Sequence, residues 1–263
     1  MILTSDYHTH TVYSHGKGTV LENALVAKEV GLKEIAISDH GFSHPAFGLT
    51  KRKLPKIRKD CDDATVKTGV KVLLGIESNI IGTDGTVDLK PKHYDYFDVF
   101  LAGIHKMVFF KFGTWFSLGF PDLFCSTFNV KNVSKSLIKA NTKAFINVIK
   151  NNPVDVITHL NFCCFANVEE VAKACADYGT YIELNAKKDH LTVDQIEQIL
   201  KTDAKFVIGS DAHSANRVGE ISRVEKLLNK VSVPEDRIAN INGKTPVFRF
   251  AKFKGVSQWI LQK

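Results

Sequence analysis

Seven short runs of β-branched and aliphatic residues recur along the chain, separated by stretches whose apolar residues return every third or fourth position. This alternation is the signature of consecutive βα units around a parallel sheet buried on both faces. The strands are expected at Ile2 to Tyr7, Glu34 to Ser38, Lys71 to Ile76, Phe97 to Gly103, Val154 to Thr158, Thr180 to Leu184 and Lys205 to Gly209. Helices are expected at Thr19 to Val30, Ser136 to Lys150, Val168 to Tyr178, Thr192 to Lys201 and Arg217 to Lys230, with Gly31 and Gly179 suited to left-handed caps. One connection breaks the pattern. Met107 to Phe128 packs eight Phe and Trp residues behind the fourth strand, interrupted by Lys111, Gly113, Gly119, Pro121 and Asp122 before a membrane span could accumulate. It reads as a loop folded on its own aromatic cluster, a lid, a subunit contact or an interfacial membrane patch.

With 263 residues, 44% of them hydrophobic, and no Pro/Gly/Ser-rich linker, the chain is expected to form one α/β barrel domain over residues 1–263, with an aromatic-rich insertion at about 106–135. A net charge of +7 and a pI near 9.0 favour anionic ligands, phosphate esters first and nucleic acid second. The five cysteines are odd in number and form no C-x-x-C pair, so reduced thiols and a cytoplasmic location are expected. The first residues show no basic stretch followed by an apolar run, so no secretion signal is expected. Oligomeric state is open, a homo-oligomer included.

The histidines carry the chemistry. Of the 10 in the chain, His8 and His10 close the first expected strand, His40 the second, His105 the fourth, His159 the fifth and His213 the seventh, while His15 lies just beyond the first. Glu77 ends the third strand and Asp211 the seventh. The C-terminal ends of strands are where barrels assemble their sites. His8 and His10 sit two apart, so an extended backbone projects both to one side. Each residue alone could be a hydrogen-bonded core group. Nine together around one barrel mouth would leave several polar groups unpaired, at about 1 to 3 kcal/mol each, and cations remove that conflict. Imidazoles with carboxylates suit zinc, manganese or iron rather than calcium or magnesium.

The segments Asp6-Tyr7-His8-Thr9-His10-Thr11, Ser38-Asp39-His40-Gly41, Gly75-Ile76-Glu77-Ser78-Asn79-Ile80 with Asp84-Gly85, Glu183-Leu184-Asn185 and Gly209-Ser210-Asp211-Ala212-His213 together resemble the PHP family, named for polymerase and histidinol phosphatase members. The likeness is to its stand-alone bacterial phosphoesterases with a trinuclear zinc centre, over nearly the whole chain. It implies a distorted (β/α)7 TIM-like barrel and three divalent ions. One would be held by His8, His10, Glu77 and Asp211, a second by Glu77, His105 and His159, and the third by His15, His40 and His213. Where such proteins usually read His-Pro-Gly, this chain has His159-Leu160-Asn161.

The expected reaction is hydrolysis of a phosphate monoester of a small metabolite, through water whose pKa the ions bring from 15.7 to about 7. Glu77, Asp211 and His213 would act at the reacting centre, and Arg217 would hold the phosphate or sit as a surface arginine. Asp39 is a candidate to orient a ligand imidazole or to cap its loop. Glu183 and Asn185 share a strand face, with packing an equal role for Glu183. His44 could be a general acid or simply solvated, His93 and His190 look ordinary, and Cys163 and Cys164 read as buried filler. The runner-up function is a nuclease or phosphodiesterase of the same family, with the basic tail Lys252 to Lys263 guiding the polyanion. An amidohydrolase is a third reading, in which the nearest bridging lysine, Lys106, should face away from the site. A binding or sensing module that kept its ions is a fourth.

Overall fold

In the computed structural model, which describes residues 1–128, 130 and 132–255, all seven expected strands are present as one parallel sheet in sequential order: β1 (Ser5–Thr9), β2 (Glu34–Ile37), β3 (Lys71–Asn79), β4 (Val99–Gly103), β5 (Val156–Ile157), β6 (Tyr181–Asn185) and β7 (Phe206–Gly209). The far end of the basic tail, from residue 256, lies outside the described residues. Helices α1 (Val20–Glu29), α2 (Leu54–Thr68), α3 (Phe120–Thr127), α4 (Lys135–Asn151), α5 (Val168–Tyr178), α6 (Val193–Leu200), α7 (Ser222–Leu228) and α8 (Arg249–Phe253) follow in order. Four of them start on capping side chains: Thr19 with Glu22, Ser134, Asn167, and Thr192 with Gln195.

The barrel is a layered plug. Tyr7, Ala36, Leu73, Val99, Leu101, Val156 and Val207 fill its lower interior, while the alternate residues of the same strands, such as Ile35, Leu74, Phe100, Ile182 and Phe206, pack outward beneath the helices. Two residues above the plug the interior positions are small, Ser38, Gly75, Gly103 and Gly209. Two above those, the same strand parity brings His40, Glu77, His105 and Asp211 to the mouth. The small layer is a steric requirement: a Cβ on Gly209 would collide with the Glu183 carboxylate. β1 reaches the same result by breaking its register between Asp6 and Thr9, which turns both His8 and His10 inward.

Closure between the first and last strands is improvised. Only Thr9 and Ala212 bridge β1 to the end of β7, and the segment Ile238–Ile241 lies in the remaining seam. There the buried Asn240 donates its amide to the carbonyls of Ser5 and Ile208, both at 2.8 Å, and accepts the Ile208 N–H at 2.9 Å. One side-chain amide thus replaces a stretch of ladder.

Three sequence expectations need correction. Helix α2 is not among the expected helices, although Leu54, Ile57, Cys61, Ala64 and Thr68 are its buried stripe at three-to-four spacing. The helix expected from Arg217 to Lys230 is only Ser222–Leu228, because Gly219 takes a left-handed φ of 73° and breaks the chain away. The aromatic connection is not a loop gathered on its own rings. It is a π-helical turn, Trp115–Gly119, running into α3, and most of its phenylalanines are exposed.

Candidate metal centre

The mouth layer converges on one carboxylate. Glu77, fully buried, has Oε1 2.6 Å from His159 Nε2, 3.0 Å from His105 Nε2 and 3.2 Å from His8 Nε2, while Oε2 lies 2.9 Å from His40 Nδ1 and 3.6 Å from His10 Nε2. Asp211 Oδ1 stands 3.2 Å from His213 Nδ1, 3.4 Å from His10 Nε2 and 3.9 Å from His8 Nε2. Eight of the nine expected ligands thus approach one another through nitrogen and carboxylate atoms. The ninth, His15, stacks on Phe47 and sets its ring 4.4 Å from that of His213.

These separations test whether cations fit. Ligand atoms each about 2.0 to 2.1 Å from one tetrahedral ion lie roughly 3.3 Å apart. Three groups gather donor atoms close enough to share an ion: His8, His10 and Asp211; His40, Glu77 and His105; and His10, His40 and His213. The hydrogen bonding agrees. His40 Nδ1 and Glu77 Oε2 are 2.9 Å apart yet misaligned for a hydrogen bond, so both are left unsatisfied, and the Nδ1 atoms of His10, His105 and His159 lack partners as well. Buried polar atoms so close and so poorly paired fit a cluster built around cations.

Charge follows the same logic. Burial alone would raise Glu77 and Asp211, but the imidazoles around them hold both well below the usual carboxylate range. Burial pushes His10 well down and His105 to about 4 despite Glu77. His8 goes the other way, since Glu183, Glu77 and Asp211 overcome its burial and hold it well above the ordinary histidine range. Ionised carboxylates beside mostly neutral imidazoles are the state that metal ligation requires.

The orienting carboxylate is Glu183. His8 Nδ1 meets Glu183 Oε1 at 2.6 Å, which turns Nε2 toward Glu77, and Glu183 Oε2 accepts the His159 N–H at 2.7 Å and the Asn185 amide at 3.0 Å. Asp39 does something else: its carboxylate accepts the Thr11 N–H at 2.8 Å and the Ser14 hydroxyl at 2.5 Å, and stays 3.9 Å from His10 Nδ1. It fixes the turn that leads to His15. The altered turn after β5 still holds the candidate ligand His159 beside Glu77: Asn161 takes the left-handed φ of 70° that a glycine would supply, and Asn tolerates that region better than most residues. His159 and Asp211 are themselves at φ 29° and 49°, backbone strain concentrated in two candidate ligands.

Above the cluster opens a cavity of about 420 Å³ lined by Phe47, Phe162, His44, His190, Lys106, Lys187 and Lys188 among others. Lys187 was invisible to sequence reasoning, yet its Nζ lies 3.1 Å from His213 Nδ1 and 3.3 Å from Asp211 Oδ1. Lys106 lines the cavity rather than facing away, because β4 ends at Gly103 and strand alternation lapses before it. His190 is not ordinary either. It faces His159 in this cavity, and burial beside that ring lowers it to about 3. His93 packs on Phe42 and Tyr96, away from the site, and burial pushes the Cys163 thiol up to about 12, as filler requires. Arg217 pairs with Glu220 at 2.6 Å and lines a shallow groove beside the cavity together with Lys187, Asp211 and His213.

Comparison with known proteins places this geometry. The sequence profile of the family described as PHP domain matches residues 6–187. A probable phosphatase of Caldanaerobacter subterraneus subsp. tengcongensis is 30% identical over 254 residues, covering 90% of this chain and 87% of that protein. Another, from Shewanella sp. strain MR-4, is 31% identical over 250 residues, 89% and 86% of the two chains. Among solved structures, the histidinol phosphate phosphatase of Lactococcus lactis subsp. lactis, complexed with zinc, L-histidinol and phosphate, superposes with a TM-score of 0.63 at 16% identity, covering 94% of this chain and all of that one.

Proposed function

The chain belongs to the PHP domain family, a hydrolase acting on phosphate esters, and on that premise we propose that it removes phosphate from a small monoester with the help of three divalent ions. Zinc is the first choice, with manganese or iron next; the imidazole and carboxylate donors favour them, and the solved protein of similar fold was complexed with zinc. The carrying observation is Glu77, a buried carboxylate within 3.2 Å of nitrogens of four histidines, three of which, His40, His105 and His159, leave a buried Nδ1 without a partner.

His8, His10, Glu77 and Asp211 would hold one ion, Glu77, His105 and His159 a second, and His15, His40 and His213 a third. His10 and His40 each lie close enough to serve a neighbouring position as well. When bound, such ions supply Lewis acidity that activates water and neutralises phosphoryl charge. The remaining roles belong to the protein. Glu183 fixes the tautomer and tilt of His8. Lys187 and Lys188 bring fixed positive charge to the cavity, where the ester's non-bridging oxygens would sit. Arg217 could join them only by releasing Glu220. Phe47 and Phe162 give the leaving portion apolar walls, and a volume of about 420 Å³ suits a metabolite rather than a duplex.

The test is elemental analysis of purified protein beside para-nitrophenyl phosphate turnover, for wild type and a His8→Ala, His10→Ala variant. Loss of both bound metal and turnover in the variant is expected. A wild-type protein that is fully metal-loaded and cleaves oligonucleotides, with steep salt dependence, in preference to monoesters would move the assignment to a nuclease.

A further inference from the structure

We propose that the aromatic insertion is a docking face for the surface of an anionic lipid bilayer. The segment from Thr114 to Thr127 has its polarity inverted. Thr114, Leu118 and Asp122 point into the protein, whereas Phe112, Phe116, Phe120, Phe124 and Phe128, each four residues from the next, are exposed. Phe112 is 99% exposed and Phe116 71%, and the exposed Phe109 and Met107 extend the patch at its N-terminal end. A surface helix that hides a carboxyl and shows water a row of phenyl rings is spending its apolar face on something outside the molecule.

The stripe is not a loose excursion. Phe109 N–H donates to the Ser43 carbonyl at 3.0 Å, Lys111 N–H to the Ile81 carbonyl at 2.9 Å, and Asp122 accepts the Asn141 amide at 2.9 Å. These anchors lie in loops after β2 and β3 and on α4, so the rings are presented on a fixed base beside the mouth of the metal cavity.

Charge selects the partner. From residue 106 to 143 the sequence holds six lysines, of which Lys111 pairs with the exposed Asp84 at 2.6 Å, and a single acid, Asp122, which is buried. Lys135, Lys139 and Lys143 are exposed on α4. Phenyl rings bordered by lysines match the acyl boundary and headgroups of an anionic leaflet. A two-fold contact between copies would instead bring the lysine-rich border against itself. Among the described residues no helix is long and apolar enough to cross a membrane, so the attachment is peripheral.

Vesicle flotation of the metal-loaded protein tests this, using phosphatidylcholine alone and phosphatidylcholine mixed with phosphatidylserine. Wild type should float with the anionic vesicles and less with the neutral ones, and added salt should weaken it. A Phe112→Ser, Phe116→Ser, Phe120→Ser variant should bind at least about tenfold more weakly. Its melting temperature and para-nitrophenyl phosphate turnover should stay at wild-type level, which separates this inference from the phosphatase assignment. Wild type that ignores both vesicles, equal binding by the variant, or a wild-type dimer that the triple variant dissolves without any vesicle binding would each overturn it.

Discussion

The metal cavity and the aromatic helix partition their residues in opposite ways. In the cavity, imidazoles and carboxylates are buried by the barrel and apolar plugging stops two layers below them; on the helix, a carboxyl is buried and phenyl rings face water. Both arrangements are costly for an isolated chain, and each becomes reasonable once something outside the chain, cations in one case and an apolar surface in the other, completes it. Misplaced polarity is therefore the most informative property of this molecule.

Removing the carboxylate at the centre of the first region should have the largest effect. Glu77→Gln is expected to lower para-nitrophenyl phosphate turnover by about 10³-fold or more and to reduce bound metal in elemental analysis, since one substitution touches four imidazoles. Glu183→Gln should lower metal affinity by about 10- to 100-fold, measured by competition with a chelating dye, with phosphate hydrolysis restored at high metal concentration. That recovery distinguishes a positioning carboxylate from a ligand.

The second region yields a pH signature. Burial raises Asp122 to about 7, so the folded protein holds this proton more tightly than the unfolded chain, whose carboxyl ionises near 3.8. Stability is then greatest at low pH and falls as pH rises between these values, with the loss complete above 7. Asp122→Asn should remove that decline, stabilising the protein at pH 8 by about 1 to 2 kcal/mol, or a few degrees in melting temperature, while changing little at pH 4. A larger decline in the variant would show that Asp122 is charged and paired in the fold. The smallest effect belongs to Asn161→Gly, which should destabilise the fold by about 1 kcal/mol and leave turnover intact, because glycine keeps the backbone conformation and only the bond from the Ala166 N–H to the Asn161 side chain is lost.

The contrast also explains what could be read from sequence. The strands, and the gathering of the candidate histidines at one mouth, are legible because parity along a strand is a local rule that carries from the plug through the small layer to the mouth. Lys187 was not, since it lies past the end of β6, where no periodicity predicts direction, and only the fold sets it against His213. Lys106 was misjudged for the same reason. Glu183 was placed on the interior face, but its grip on His8 depends on Gly209, a neighbour 26 positions away that admits the carboxylate. The aromatic connection reads from sequence as a loop on its own rings, a lid, a subunit contact or a membrane patch, and only the burial of Thr114, Leu118 and Asp122 shows that its phenylalanines face outward.

The seam held by Asn240 gives the site a place in the history of the chain. The amide that ties the strand carrying His8 and His10 to β7 comes 235 residues after the Ser5 carbonyl it binds. A nascent polypeptide that ends between His213 and Asn240 has made every candidate ligand but lacks the clasp that joins β1 to β7. Closure of the barrel therefore depends on a residue that follows every candidate ligand in the chain.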